Sequence, residues 1–233
     1  MKRFYQTVSA EAAADGWRVL LDGRPIKTVG GQPQVVPTRK LAKALAAEWE
    51  AQGPEIALEL FILRDQADYA IDVVAPNRTA AIRSLLAYAE TDTLCYRAEH
   101  GEALHDRQLI VWEPLLTAAE DRWDVRFERI GGIIHQVQPP ETLARLEAEL
   151  AALDDFALTA LRNTASLSAS LVIGLAALEP DADPHALWNA ANLEEDWQAE
   201  LWGKDWEAME LRDKRFAAFA AAMRFAELSR AEP

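Results

Sequence analysis

The chain has one cysteine, Cys95, so no disulfide can form within it, and that usage suits a reducing compartment. No stretch reaches the ~18 apolar residues of a membrane-spanning helix. The longest weakly polar segment, 164–178, is too short and carries several serines. Lys2 and Arg3 have no apolar run behind them, so no secretory signal is visible. Positive charge is also in short supply. Asp and Glu number 38 against 24 Lys and Arg, for a net charge of −14 and a pI near 4.7. Nucleic acid and anionic membranes are repelled by such a field, because affinity for either comes largely from Lys and Arg. A basic or amphiphilic protein is attracted, although the same charge also serves solubility alone.

Motifs of catalysis and cofactor binding are missing as well. The four histidines are His100, His105, His135 and His185, and none has a Cys or His neighbour at ligand spacing. His100 and His105, five apart, are expected on different sides of a helix. There is no G-x-G-x-x-G and no G-x-x-x-x-G-K-[ST] to cradle phosphates, and no G-x-S-x-G nucleophile elbow. The bare pairs Gly30-Gly31 and Gly131-Gly132 read as turns. Cys95, between Leu94 and Tyr96, reads as a buried small hydrophobe. Acids abound throughout, so no carboxylate pair stands out. The expectation is a non-enzyme with no cofactor and no metal.

What is present is the composition of a folded protein, with half the residues apolar and 27% charged. The fold class expected is α+β, with a small β-rich N-terminal domain containing one helix (1–62) and a larger all-helical domain (63–233). Within 3–36, Trp17, Val19 and Leu21 alternate, Asp22-Gly23 marks a hairpin, and 34–36 is a second extended piece. Thr38 caps a helix whose Leu41, Leu45 and Trp49 share a face, and Gly53-Pro54 stops it. Ile56, Leu58, Leu60 and Ile62 alternate like a strand in an ambiguous stretch.

The remainder is helical. Ile82, Leu85, Leu86 and Ala89 mark one helix. Leu104, Gln108, Val111, Leu115 and Ala119 mark another, which Pro114 must kink or split. A short extended excursion covers 125–134. Helices then start at Pro140, at Asp155 behind an Asp154 cap (to about Leu178), at Pro184 (to near Gly203) and at Asp205 (to about Ser229).

Two features rise above this background. Ser166, Ser170 and Gly174, four apart, form a stripe of small side chains that suits a tight seam or, less readily, a docking groove. Residues 188–210 hold four of the eight tryptophans, Trp188, Trp197, Trp202 and Trp206. They also hold seven acids: Glu194, Glu195, Asp196, Glu200, Asp205, Glu207 and Glu210. Only Lys204 opposes these. Such a stretch is either a core with a solvated outer face, or a surface for a partner's arginines.

Eight strings in order carry a resemblance. They are KRFYQTVS at 2–9, LDGRPIKT at 21–28, VPTRKLAKALAAEWEAQG at 36–53, AID at 70–72, TDTLCYRAE at 91–99, Gln108 with WEPLL at 112–116, ASLSASLVIGLAAL at 165–178 and NLEEDWQAELWG at 192–203. Together they resemble the ATP12 family, assembly chaperones of the F1 sector of ATP synthase. The resemblance implies a small β-rich part followed by a helical part, with no cofactor, nucleotide or metal. It implies a chaperone that binds the free F1 α subunit and shields its contact surface until it joins β. Glu194, Glu195, Gln198 and Trp202 match the family's acidic-aromatic stretch, and Trp49 matches its EW-x-AQG string; Glu200 lies in the same acidic stretch. These are the candidate partner-binding residues. The sequence departs from many members at Phe61-Ile62-Leu63-Arg64, where they have an apolar-Pro-Leu-Thr string. A monomer when free is expected, cytoplasmic in a bacterium or in the mitochondrial matrix of a eukaryote. An enzyme with an unrecognised carboxylate site and a self-association module remain the alternatives.

Overall fold

The computed structural model describes residues 1–132, 136–203 and 205–231. It has the expected α+β architecture. Strands β1 (Val8–Ala13), β2 (Gly16–Leu21) and β3 (Arg24–Pro25) form an antiparallel sheet in that order. The β2–β3 turn is Asp22-Gly23, both at positive φ. Asp22 Oδ1 accepts the N–H groups of Gln6 and Thr7, which holds its carboxyl below the usual range and pins the turn to the incoming chain. Val36 continues the sheet through a bridge to Trp17.

Helix α1 (Arg39–Glu50) packs on β1 and β2. Its start is local chemistry: the Leu41 N–H donates to Thr38 Oγ1 at 3.0 Å. Leu41, Leu45 and Trp49 are buried, as the four-residue spacing requires. The alternation at 56–62 is not a strand. Leu58–Leu60 is a 3-10 turn and α2 spans Ile62–Tyr69. Both carboxylate oxygens of Glu48 accept there, from the Leu63 and Arg64 N–H groups, and so cap α2. That cap lies some fifteen residues back in the chain, where local patterning cannot see it. The chain then widens through a π turn (Ala70–Val74) and a 3-10 turn carrying Pro76 before α3 (Arg78–Glu90).

Beyond α3, a short strand β4 (Tyr96–Arg97) pairs in parallel with β5 (Ile130–Gly131). Between them α4 (Ala103–Trp123) runs through Pro114 as one helix, so of the kink or split expected there the split does not occur. Pro114 lies on the exposed side, next to exposed Ile110, whose carbonyl loses its helical partner where water can replace it. The buried side of Gln108, Trp112, Leu116 and Ala119 continues past it. After α5 (Pro140–Ala152), the helix expected over 155–178 is two: α6 (Asp155–Ser168) and α7 (Leu171–Ala176). Ala169 sits at φ 50° between them, and Ser170 caps α7 by accepting the Ile173 N–H at 3.0 Å. The expected small-residue stripe is therefore not one stripe. Ser166 is exposed, Ser170 is a buried cap, and Gly174 meets α6. A Cβ on Gly174 would lie 2.9 Å from Ala165 Cβ, so its role is close packing within the chain.

The segment from Pro184 is likewise two helices, α8 (Pro184–Ala191) and α9 (Leu193–Trp202), parted at Asn192. The Asn192 side chain donates to the Trp188 carbonyl at 2.8 Å and turns the chain there. Helix α10 (Trp206–Ser229) follows, its start capped by Asp205, which accepts the Glu207 N–H at 2.9 Å.

The chain forms two compact units. One comprises Met1–Arg78, Asp154–Ala160 and the residues from Arg224 on; the other comprises Thr79–Leu153 and Leu161–Met223. The first has Tyr5, Trp49 and Phe61 at its core, with the Tyr5 hydroxyl donating to the Trp49 carbonyl at 2.6 Å and ring centroids 4.5–5.5 Å apart. The second is built around α4, which contacts α5, α7 and α9. No described helix is long and apolar enough to cross a membrane.

Candidate partner-binding surface

Helix α9 carries most of the candidate residues. Glu194, Glu195 and Asp196 fill its first turn, where the backbone dipole favours negative charge. Glu195, Gln198 and Trp202 fall at i, i+3 and i+7, on one exposed face. Gly203, at φ 94°, ends the helix, and the following turn leads to Trp206. Trp202 and Trp206 are 79% and 70% exposed, and Leu201, Met209 and Leu211, close by in the chain, are exposed as well. Trp197 is half-buried, and Trp188 is buried against Phe219. The four tryptophans thus divide into an inner pair that packs and an outer pair that faces solvent. Trp49 belongs to the first unit, where it is 8% exposed within the core.

Several of the acids are engaged inside the second unit. Glu200 receives a two-point hydrogen bond from the Arg107 guanidinium at 2.6 and 2.9 Å. Asp196 likewise receives both arms of Arg212. Each arginine is held above its ordinary pKa by that carboxylate. Glu194 accepts from the buried Gln108 amide at 2.7 Å, and the same amide accepts the Ala98 N–H at 2.8 Å. These contacts fasten α9 to α4 on one side and α10 on the other. Arg107 and Arg212 had no signal in the sequence, since their partners are 93 and 16 residues away. Lys204, the cation nearest the acids in sequence, lies outside the described residues. Glu195 is exposed and has no hydrogen-bonded partner among the described residues.

Helices α4, α8, α9 and α10 line a cavity of about 550 Å³ that is open to solvent along one side. Its apolar lining includes Val111, Ala190, Leu193, Ala199 and Met209, and Glu195, Asp205 and Asp213 add carboxylates to the wall.

Other sequence candidates are placed plainly. His100 and His105 have ring centroids 5.2 Å apart, not on opposite sides as expected, because His100 precedes α4 and folds back over its first turn. His135 lies outside the described residues, as does Ile134 at the end of the expected excursion. Among the described residues no group of three or more His, Cys, Asp or Glu is placed to hold a metal ion. Cys95 is buried, which pushes its thiol pKa up.

A helical body with two exposed tryptophans at the end of α9 and the start of α10, and a cavity lined by apolar and carboxylate side chains of the same helices, has the features of the class that binds other proteins. Comparison with known proteins gives the family. The family model described as ATP12 chaperone protein matches residues 2–120, and the chain belongs to that family. The crystal structure of Atp12 from Paracoccus denitrificans is similar over 98% of both chains, at 38% identity and a TM-score of 0.94. A solved structure from Agrobacterium tumefaciens covers 98% of this chain and 86% of its own, at 35% identity and a TM-score of 0.92. The mitochondrial protein atp12 of Schizosaccharomyces pombe is 23% identical over 222 residues, 90% of this chain and 76% of that one.

Proposed function

We propose that this chain is an assembly chaperone of the F1 sector of ATP synthase that holds the free α subunit and covers its subunit-contact surface until β takes its place. The observation that supports this reading is the outer face of α9 and the α9–α10 turn. Two tryptophans stand exposed there beside Glu195 and Gln198. Exposed tryptophan is costly to leave in water and common at interface centres, so a face that keeps two suits a partner. Ring subunits carry large apolar contact surfaces that aggregate when bare. A chaperone for one must bind tightly enough to cover it and weakly enough to be displaced. Mixed acidic and aromatic contacts meet both demands. The protein acts as a monomer in the bacterial cytoplasm, or in the matrix if the source is a eukaryote.

Co-expression with F1 α is the test. A complex that survives gel filtration, together with more soluble α, is expected. No complex, with α equally insoluble, sinks the proposal. Glu195→Lys reverses a charge on the exposed face, and is expected to weaken capture by about tenfold or more while the helical circular dichroism is unchanged.

A further inference from the structure

We propose that the α4–α8–α9–α10 cavity is a seat for a basic amphipathic helix of the client, with an arginine as its anchoring side chain. This rests on the assembly-chaperone reading and names the chemistry of what is held. Both cations in the cavity wall are already committed, Arg107 to Glu200 and Arg212 to Asp196, each through two hydrogen bonds. Glu195 and Asp213 lie on the same wall, with no hydrogen-bonded partner among the described residues. Arg212 also feels the charges of Glu195 and Asp213, yet among the described residues the lining holds four carboxylates, of Glu195, Asp196, Asp205 and Asp213, against two cations, so the cavity is net negative.

The rest of its lining has the opposite character. Val111, Leu193 and Met209 supply apolar surface that would accept an aliphatic stem and neighbouring leucines. The volume, about 550 Å³, has room for several side chains rather than one. Arginine fits better than lysine for two reasons. Its planar fork can bridge two carboxylates, and it sheds water more readily and stacks on indole. Two indoles, Trp202 and Trp206, flank Asp205 of the wall in the chain. A groove between helices takes a helix through anchors at i, i+4 and i+7, which combines one charge with two apolar contacts. A second copy of this chain is a poor occupant, because both copies carry a net charge of −14.

The test uses the intact protein and a fluorescein-labelled helical peptide of leucine, alanine and arginine, followed by anisotropy. Two control peptides are needed. One has citrulline, the neutral isostere, at each arginine; the other has the same composition scrambled to remove the apolar face. Both controls are expected to bind about tenfold more weakly or worse. Two variants probe the cavity. Ala208→Trp fills it from an exposed position on α10, and Glu195→Gln removes one charge at nearly constant shape. Ala208→Trp is expected to abolish peptide binding, and Glu195→Gln to weaken it about threefold to tenfold. Equal binding of the citrulline or scrambled peptide overturns the proposal. So does unchanged binding by both variants. The parent reading fails separately: it falls if the wild-type chain does not capture F1 α. If Ala208→Trp still captures α as well as wild type, the client seat lies elsewhere and only the cavity assignment is lost.

Discussion

Gly30 lacks a side chain because Asp72 occupies the space one would need. A Cβ there would sit 2.6–2.8 Å from the Asp72 carboxyl group. That group cannot easily move, since it accepts from the Gly30 N–H and the Thr28 hydroxyl, each at 2.7 Å. Its neighbour Asp68 accepts from the Val29 N–H and the Gln34 amide, so two acids from one helical stretch hold the whole 28–34 loop. Gly30→Ala is expected to cost about 1–3 kcal/mol in urea denaturation. Asp92 is the other telling residue. It is fully buried, accepts the N–H groups of Leu94 and Val172 at 3.0 Å each, and so ties the turn before β4 to the start of α7. Burial raises its pKa to about 6, against the opposing pull of Ser170 and those N–H groups. Between about pH 4 and 6 the folded chain keeps a proton there that the unfolded chain has released. The contribution of this group is therefore most favourable below about pH 4, declines as pH rises to about 6, and is flat above. The decline is on the order of 3 kcal/mol. In Asp92→Asn, which loses stability overall through a missing acceptor, the pH dependence of the urea midpoint between pH 4 and 6 is expected to flatten.

At the scale of elements, the two ends of α4 are held by charge in different ways. Arg129 lies between Glu113 and Glu120, at 2.5 Å from each, and Glu120 is buried. Burial alone would raise the Glu120 pKa, but the hydrogen bonds from Arg129 and the Phe127 N–H bring it below the ordinary value. Arg129→Ala leaves that carboxylate poorly compensated and is expected to cost about 2–4 kcal/mol. Arg107→Ala breaks a partly exposed pair and is expected to cost under about 1 kcal/mol globally. Its effect belongs in faster amide exchange over 193–202. The same distinction explains what could be read from sequence. The α1 helix was legible, because its cap Thr38 and its buried face are within twelve residues. Breaks at 168–170 and 192 were not, because the helical period runs straight through them. One is imposed by Ser170 and by Asp92 from far upstream, and the other by an asparagine folding back on the previous turn. The candidate surface was half legible. Its acids and tryptophans are contiguous in sequence, but the arginines that hold α9 come from α4 and α10, and the sorting into inner and outer tryptophans follows from helix ends the period does not mark.

The whole molecule is an anion whose candidate surface is an acidic one. Association with a basic or amphiphilic client is expected to slow as salt rises, with capture of F1 α markedly faster at ~50 mM than at ~500 mM sodium chloride in stopped-flow mixing, while the dissociation rate changes less. One further consequence follows from the way the first unit is assembled from separated stretches of chain. The hydroxyl of Thr38, whose oxygen starts α1, itself donates to the carbonyl of Leu228, 190 residues later. In the same unit Phe156 stacks on Phe225. On the ribosome the strands, α1 and the Tyr5–Trp49–Phe61 core are available early, whereas these two contacts form only after translation has passed residue 228. The unit whose chain is mostly made first is therefore the one completed last.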